Sequence, residues 1–201
     1  MARHGGTSSI LREQLAEEAA RLIHDHGIQD YGLAKRKAAE RFGVRAAGAL
    51  PSNSEIESRV IERQRIFEPD EHTERAIALR RIAADLMQLL DVFQPRVAGP
   101  VLSGAITVST SIELHLFTDA PEEVIFVLEA ERFLVRNCQR RYRFNGQDVV
   151  VVPGFRFSAN GARVDALTFP EKGIRQAPMS PIDGRPMRRA DRAALLALIE
   201  A

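Results

Sequence analysis

The chain has 201 residues, of which 27% are charged, and its net charge of +1 gives no global field that would draw it to nucleic acid or a membrane. Cys138 is the single cysteine, which excludes an internal disulfide framework and a cysteine-based zinc site. No apolar run approaches the roughly 20 residues of a membrane span, and residues 1–9 lack the apolar core of a secretion signal, so we expect a cytoplasmic protein without a membrane partner.

Helical periodicity dominates the first half of the chain. Gly27 and Gly43 each follow a predicted helix, as is typical of glycine at a helix C-terminus. Asp30 is a favourable N-cap for the second helix, and Ser54 or Asn53 for the third. The last of these helices has the most regular apolar repeat in the chain. Four helices are predicted, at residues 9–26, 30–42, 54–67 and 70–93.

The predicted second helix carries the densest basic run of the first half. Lys35, Arg36 and Lys37 are adjacent in the sequence. Because lysine and arginine neutralise phosphates whatever the base sequence, this helix could contact nucleic acid. The alternative is a solvated helix face on which Asp30 and Glu40 offset part of the charge.

The stretch from residue 96 to residue 117 combines a glycine-rich turn with a β-strand. Gly99 and Pro100 break a short apolar run, and Gly104 follows them. Apolar and polar residues then alternate with the period of a half-buried strand, so one face should join the core while the other presents polar groups. The apolar face consists of Ile112, Leu114 and Leu116, and the polar face of Ser111, Glu113 and His115.

A capped helix and three strands are predicted after that stretch. Thr118 or Asp119 caps the helix, and Pro121 occupies its first turn. Two Asn-Gly pairs, which favour tight hairpin turns, separate the extended segments, so an antiparallel meander is expected. The strands are predicted at residues 133–144, 148–157 and 162–169, with turns at Asn145-Gly146 and Asn160-Gly161.

The first strand of the meander is rich in arginine. Arg140, Arg141 and Arg143 alternate in part with Tyr142 and Phe144. Such a strand could stack on bases and bind phosphates, as proteins that hold single-stranded nucleic acid do. The alternative is an edge strand that its charges protect from aggregation.

A proline-containing segment and a last helix end the sequence. Residues 176–189 contain an Asp-Gly turn together with Arg185, Arg188 and Arg189, and residues 191–199 are predicted to be helical. Arginine binds phosphate with two parallel hydrogen bonds. If this segment folds over Glu113, its arginines could hold a phosphate group.

The residues around Gly99 and Glu113 resemble the polymerase-beta-like nucleotidyltransferases, including their minimal bacterial members. In that family an apolar strand leads to Gly-Ser, a second glycine follows, and Ser-Asp-x-Asp stands on the next strand. Here the glycines are Gly99 and Gly104, and the Asp-x-Asp falls on Ser111-Ile112-Glu113. Pro100 stands in place of the serine and Ser111 in place of the first carboxylate.

The resemblance implies metal-dependent transfer of a nucleotidyl group from an NTP to an acceptor hydroxyl. The family has a further carboxylate on a neighbouring strand, where this chain has Asp165. Glu113 and Asp165 are therefore the implied catalytic residues and ligands of Mg²⁺ or Mn²⁺, with His115 as a further ligand suited to Mn²⁺. Alternatively, Asp165 faces solvent and pairs with Arg156. The implied nucleotide-binding residues are Gly99, Gly104, Ser111, Arg185 and Arg188.

The sequence thus predicts an α+β protein with a helical N-terminal region followed by a small mixed sheet. Residues 1–8 are expected to be flexible, 9–94 to form the helical region, and 95–201 the nucleotidyltransferase-like domain. Nucleotidyl transfer is one predicted function, a non-catalytic module that binds RNA or a protein is the alternative, and a structural or oligomer-forming protein is a third. The predicted nucleic-acid-binding residues are Lys35, Arg36, Lys37, Arg140, Arg141 and Arg143.

Overall fold

The protein has the predicted α+β fold, as shown by a computed structural model that describes residues 4–44, 50–67, 69–144 and 148–200. In this part of the chain there are seven α-helices and six β-strands. The helices are α1 (His4–His26), α2 (Tyr31–Arg41), α3 (Asn53–Phe67), α4 (Pro69–Leu89), α5 (Pro100–Ser103), α6 (Pro121–Ala130) and α7 (Arg192–Glu200). The strands are β1 (Arg96–Ala98), β2 (Ile112–Phe117), β3 (Arg136–Phe144), β4 (Asp148–Ala159), β5 (Ala162–Phe169) and β6 (Arg189–Ala190).

The chain divides into two compact units. The first contains residues up to 72 with the short segments 105–109 and 181–183, and the second contains the sheet and the helices packed on it. The predicted boundary between residues 94 and 95 placed the whole fourth helix in the N-terminal region. From residue 73 onward, however, α4 belongs to the second unit, because its apolar side chains, among them Leu86 and Met87, join the core that contains Leu114 of the sheet.

The first unit is a helical cluster built around small residues. Helix α2 buries one stripe of alanines, so its basic residues lie on the remaining faces. Asp30 caps this helix as predicted, since its carboxylate accepts the N–H of Leu33 at 2.8 Å. The cap of α3 is Ser52 instead of Ser54 or Asn53: its hydroxyl accepts the N–H of Glu55 at 3.1 Å, and the Glu55 carboxylate accepts the Ser52 N–H at 2.6 Å. The core includes Leu15, Ala19, Ala34, Ala38, Ile56 and Val60.

The second unit contains a six-stranded mixed sheet in the order β3-β4-β5-β2-β1-β6. Strands β2 and β5 are parallel, and the other neighbouring pairs are antiparallel. The predicted meander is therefore confirmed for β3, β4 and β5. Its second turn has φ values of 47° at Asn160 and 81° at Gly161, as the predicted Asn-Gly turn requires. The other predicted turn, Asn145-Gly146, lies outside the described residues.

Strand β2 is buried on both faces. Ile112, Leu114 and Leu116 pack in the main core with α4 and α6, as their alternation predicts. The opposite face, which carries Glu113 and His115, is also buried, so the prediction of a half-buried strand is wrong. The physical reason is a second cover on that face, formed by β3, the first half of β4 and the segment after β5.

The two strands of this cover form a ribbon, the name used below for β3 together with residues 148–153 of β4. In sheet order β3 lies three strands from β2, yet Tyr142 of β3 packs with Phe117 and Phe169. The ribbon therefore folds back over the sheet. The bend of β4 begins at Gly154, where an added Cβ would stand 2.8 Å from the Leu167 side chain and 2.9 Å from its Cα. Only glycine permits this close approach of β4 to β5.

Candidate functional site

Two carboxylates lie side by side under the ribbon. Glu113 of β2 and Asp165 of β5 are direct partners in the parallel register, so their side chains share one face of the sheet. They are 3% and 2% exposed. The structure thus brings together the two acids that the sequence singled out, at a depth where an uncompensated negative charge would be unstable.

Arginine side chains compensate both charges. One guanidinium nitrogen of Arg140 donates to Glu113 and the other donates to Asp165 at 2.8 Å. Arg156 donates to both Asp165 oxygens, at 2.6 and 3.1 Å. The predicted pairing of Asp165 with Arg156 is therefore present, although Asp165 is buried instead of facing solvent. Arg140 thus bridges the two carboxylates, and its positive charge lies between them.

Tyr142 and His115 complete the surroundings of Glu113. The Tyr142 hydroxyl donates to Glu113 at 2.7 Å, and Nε2 of His115 lies 2.9 Å from the same carboxylate oxygen. The His115 ring also packs on Phe169, with a centroid distance of 4.5 Å. Among the described residues, Nδ1 of His115 has no hydrogen-bond partner although it is buried. Because Glu113 can only accept while ionised, Nε2 is the nitrogen that carries the proton.

The pKa values of this network follow from burial and charge. Burial opposes ionisation of Glu113, but the hydrogen bond from His115 and the charge of Arg140 outweigh it and lower the pKa of this carboxyl to about 2. Burial lowers the pKa of His115 and raises that of Tyr142. At neutral pH the network therefore contains an ionised carboxylate, a neutral imidazole and a neutral phenol.

The donor set does not fit a divalent metal ion as it is arranged. N–H and O–H donors already occupy the oxygens of Glu113 and Asp165, and Ser111 supplies no carboxylate at the position where the resembled family has one. Within the described residues, no group of three or more histidine, cysteine or acidic side chains is placed to hold a metal ion. Metal ligation by Glu113, Asp165 and His115 stays a prediction, and it would require Arg140 to withdraw.

The glycine turn reaches this site at one point. Gly99 has a φ of 69°, and a Cβ added to it would lie 3.6 Å from a Glu113 oxygen. The turn therefore lies directly against the carboxylate. Gly104 ends the short helix α5 with a φ of 91°, and Ser111 is half-buried just before β2. Binding of a nucleotide by these three residues stays a prediction.

The arginines of the C-terminal segment differ in their exposure. Arg185 and Arg188 are exposed. Arg189 instead lies over the ring of Phe117, with its guanidinium carbon 5.1 Å from the centroid, and donates to the carbonyls of Gly173 and Ile174. Phosphate binding by Arg185 and Arg188 stays a prediction.

The arginine-rich strand divides its side chains between two faces. Arg141 and Arg143 are exposed, as a binding role requires. Arg140 is instead turned inward onto the carboxylates, and Tyr142 is 5% exposed and Phe144 half-buried. Phosphate binding by Arg140 and base stacking by the two aromatic rings stay predictions, and they would require these side chains to leave their present contacts. Strand alternation places Arg140 and Tyr142 on the same face, which is turned toward the carboxylates.

The basic run of the first unit is only partly accessible. Arg36 and Lys37 are exposed, whereas Lys35 is half-buried. Burial lowers the pKa of Lys35. Nucleic-acid binding by this run stays a prediction.

The roles of Arg140 and Tyr142 in the carboxylate site are the main features that the sequence analysis missed. The signal was present in the two-residue period of β3, which places Cys138, Arg140 and Tyr142 on one face. That period shows which residues share a face, but not what this face packs against. The face contacts the carboxylates because the ribbon folds over β2.

Comparison with known proteins found no relative of this chain. No protein-family model, curated protein or solved structure matches the chain. Of the described helices, none is long and apolar enough to cross a membrane. The resemblance to nucleotidyltransferases therefore rests on the residues quoted above and on the placement of Glu113 beside Asp165.

Proposed function

We propose that this protein is a non-catalytic binding module on a nucleotidyltransferase-like core, and that its ligand is another protein. The observation that carries the proposal is the division of the ribbon into two faces. Arg140 and Tyr142 close the carboxylate site from inside, while Arg141 and Arg143 remain exposed on the other face. The module would bind through this outer face.

The closed carboxylate site argues against catalysis. Metal-dependent transfer needs carboxylate oxygens that are open to a hard cation and to the triphosphate that it carries. In this chain the guanidinium of Arg140 bridges Glu113 and Asp165, and both acids are almost fully buried. The pair then acts as an internal ion-pair network that fixes the ribbon on the sheet.

The composition of the exposed ribbon favours a protein over RNA as the ligand. Val149 and Val151, the direct cross-strand partners of Arg143 and Arg141 on this face, are 53% and 48% exposed. Apolar side chains contribute nothing to phosphate binding, whereas arginine together with apolar surface is typical of protein interfaces. Sequence-independent RNA binding would also use an exposed aromatic ring for stacking, and Tyr142 is buried.

Nucleotidyl transfer is the second candidate function, and one observation favours it. Glu113 and Asp165 are in register on adjacent strands, and the Gly99 turn lies against Glu113. This arrangement agrees with the resembled family. The activity would require a state in which Arg140 leaves the pair.

Site-specific crosslinking tests the binding module. A photoreactive amino acid replaces the exposed Gln139 on β3, and crosslinking is carried out in cells that express the protein. We expect an adduct that survives RNase and is lost in the Arg141→Ser/Arg143→Ser variant. The Arg81→Ser/Arg175→Ser variant, which removes the same charge from exposed positions outside the ribbon, should retain it.

Label transfer from α-labelled NTPs in the presence of Mg²⁺ or Mn²⁺ tests the second candidate. We expect no transfer to RNA or protein. Transfer that disappears in both Glu113→Gln and Asp165→Asn would establish an enzyme and overturn the binding module. An adduct at position 139 that RNase removes would instead identify RNA as the ligand.

A further inference from the structure

Strand β3 forms the outer edge of the sheet, and its outward main-chain groups can be identified. The carbonyl of Arg143 accepts the N–H of Met179 at 2.7 Å, so the main chain of Arg143 points away from β4. In an antiparallel pair, outward and inward main-chain groups alternate along the strand. Because the β3–β4 register has no break, Asn137, Gln139 and Arg141 also point outward.

This edge is open over most of its length. Asn137, Gln139 and Arg141 are all exposed. The segment around Met179 covers only the end at Arg143, and no other described strand or loop pairs with β3 on this side. An uncovered row of N–H and C=O groups is a template for an additional strand.

The charge of the edge selects the kind of strand that would fit. Between residues 132 and 147 the sequence has five arginines and no acidic residue. A second copy of β3 would bring arginines of both copies onto the same faces, and like charges on neighbouring strands are destabilising. An acidic strand would find arginine opposite its carboxylates, with Arg141 exposed at the edge itself.

We propose that an acidic, extended segment of a partner protein adds as a strand to the open edge of β3. The ladder uses the main-chain groups of Asn137, Gln139 and Arg141, and alternate carboxylates of the partner face the arginines. The inference rests on the proposed function, since it names the class of partner that the ribbon binds. The main-chain bonds supply affinity, while charge selects the partner.

Amide hydrogen exchange on the full-length protein tests the ladder directly. The probe is a short peptide of alternating glutamate and valine, added at saturating concentration. We expect exchange of the Asn137, Gln139 and Arg141 amides to slow by about tenfold or more. The amides of Arg140 and Tyr142 should not change, because they already donate to β4.

Two controls separate strand addition from general charge attraction. The Gln139→Pro variant removes an outward N–H without removing a bond to β4, and it should weaken peptide binding by about tenfold. A peptide of alternating lysine and valine should give no protection in the wild-type protein. If Gln139→Pro fails to fold, the wild-type protein still tests strand addition, because only alternate amides of β3 should then be protected.

The outcomes distinguish this inference from the function on which it rests. Protection that is absent, or equal at successive amides, overturns strand addition, and so does tighter binding of a short RNA than of the acidic peptide. If the crosslink at position 139 captures a protein while the peptide gives no alternate protection, the binding module stands and strand addition fails. If neither is observed, both fail.

Discussion

Arg140 determines what the carboxylate pair can do. Without its guanidinium, Glu113 would be a buried negative charge with no arginine partner, and Asp165, in register on the adjacent strand, would keep only Arg156. Breaking a buried ion pair by removing one partner is strongly destabilising, because the remaining charge is left uncompensated. A single side chain of the ribbon thus bridges the two acids and attaches the ribbon to the sheet.

The ionisation of Glu113 makes stability depend on pH. Its pKa is about 2 in the folded protein against an ordinary value of 4.5. Because the unfolded chain takes up the proton first, this contribution is complete above about pH 5 and is lost as the pH falls toward 2. The shift corresponds to about 3 kcal/mol. In Glu113→Gln we expect the free energy of unfolding, measured in urea, to be lower at pH 7 and to decline less between pH 5 and pH 3.

The matched control for this experiment is Glu74→Gln, at an exposed position on α4. That variant should keep the pH profile of the wild-type protein. If the free energy of unfolding of Glu113→Gln declined as steeply between pH 5 and pH 3 as that of the wild-type protein, Glu113 would not have the lowered pKa.

Removal of Arg140 should open the carboxylate pair to a divalent metal ion. In Arg140→Ala the two carboxylates lose the guanidinium that bridges them while Arg156 stays on Asp165, so a divalent ion can take the place of Arg140 beside Glu113. We expect Arg140→Ala to bind Mn²⁺ with a Kd on the order of 0.1–1 mM and the wild-type protein not to bind it, as measured by electron paramagnetic resonance. Binding should disappear in Arg140→Ala/Asp165→Asn. Equal Mn²⁺ binding by the wild-type protein would contradict the arginine-held pair.

The residues of this site could be predicted only in part from the sequence. Glu113 and Asp165 stood out because each is an acid within an apolar strand. Arg140 carried no such signal, since an arginine on a charged strand is usually solvated. Its role depends on contact between strands that are not neighbours in the sheet, and local periodicity contains no information about that contact.

At the scale of the elements, the bend of β4 at Gly154 allows the ribbon to cover β2. In Gly154→Ala the new Cβ would overlap the carbonyl of Ala166 and the main chain of Leu167, and neither can move without shifting β5. We expect a loss of about 3 kcal/mol in the free energy of unfolding, measured by urea denaturation.

Gly161→Ala provides the comparison for Gly154→Ala. An added Cβ at Gly161 meets open space, and only its φ of 81° opposes the substitution. The expected cost there is about 1 kcal/mol. Equal costs at the two glycines would mean that close packing at Gly154 does not hold the ribbon.

The elements themselves were largely predictable. The alternation in β2 and the Asn-Gly turn before β5 identified the strands, because side-chain period and turn chemistry are local properties. The burial of both faces of β2 was not predictable in this way. It arises from the bend at Gly154, and a glycine within a strand indicates a bend without saying where the strand goes.

At the scale of the whole molecule, each unit has its own apolar core. Ile56 of α3 is fully buried in the first unit, whereas Ile66 of the same helix is 63% exposed. Ile56→Ala should cost about 3 kcal/mol, because it removes buried methyl groups and leaves a cavity. We expect faster amide exchange in α1 and α3, and Ile66→Ala should leave that exchange nearly unchanged. Unchanged exchange in Ile56→Ala would contradict a core centred on this residue.

The arrangement of the whole molecule was predictable only in part from the sequence. The class and the order of the elements were predicted because helix and strand patterns differ clearly along the chain. The assignment of α4 was not, because an amphipathic helix shows that it has a buried face but not which core receives it. The apolar repeat of this helix was recognised, yet only the sheet shows what residues such as Leu86 pack against.

The placement of β2 also bears on how the protein reaches its native state. This strand leaves the ribosome before its cationic partner Arg140, which follows Glu113 by 27 residues, and before the parallel strand β5, which comes later still. Until the ribbon and β5 have been synthesised, the nascent sheet can neither cover this strand nor neutralise Glu113. Pairing between segments so far apart in sequence makes folding slow, on the order of milliseconds to seconds. The helices α1 to α3, which precede β2 in the chain, are expected to form first, and the ion pair under the ribbon would mark one of the last steps of folding.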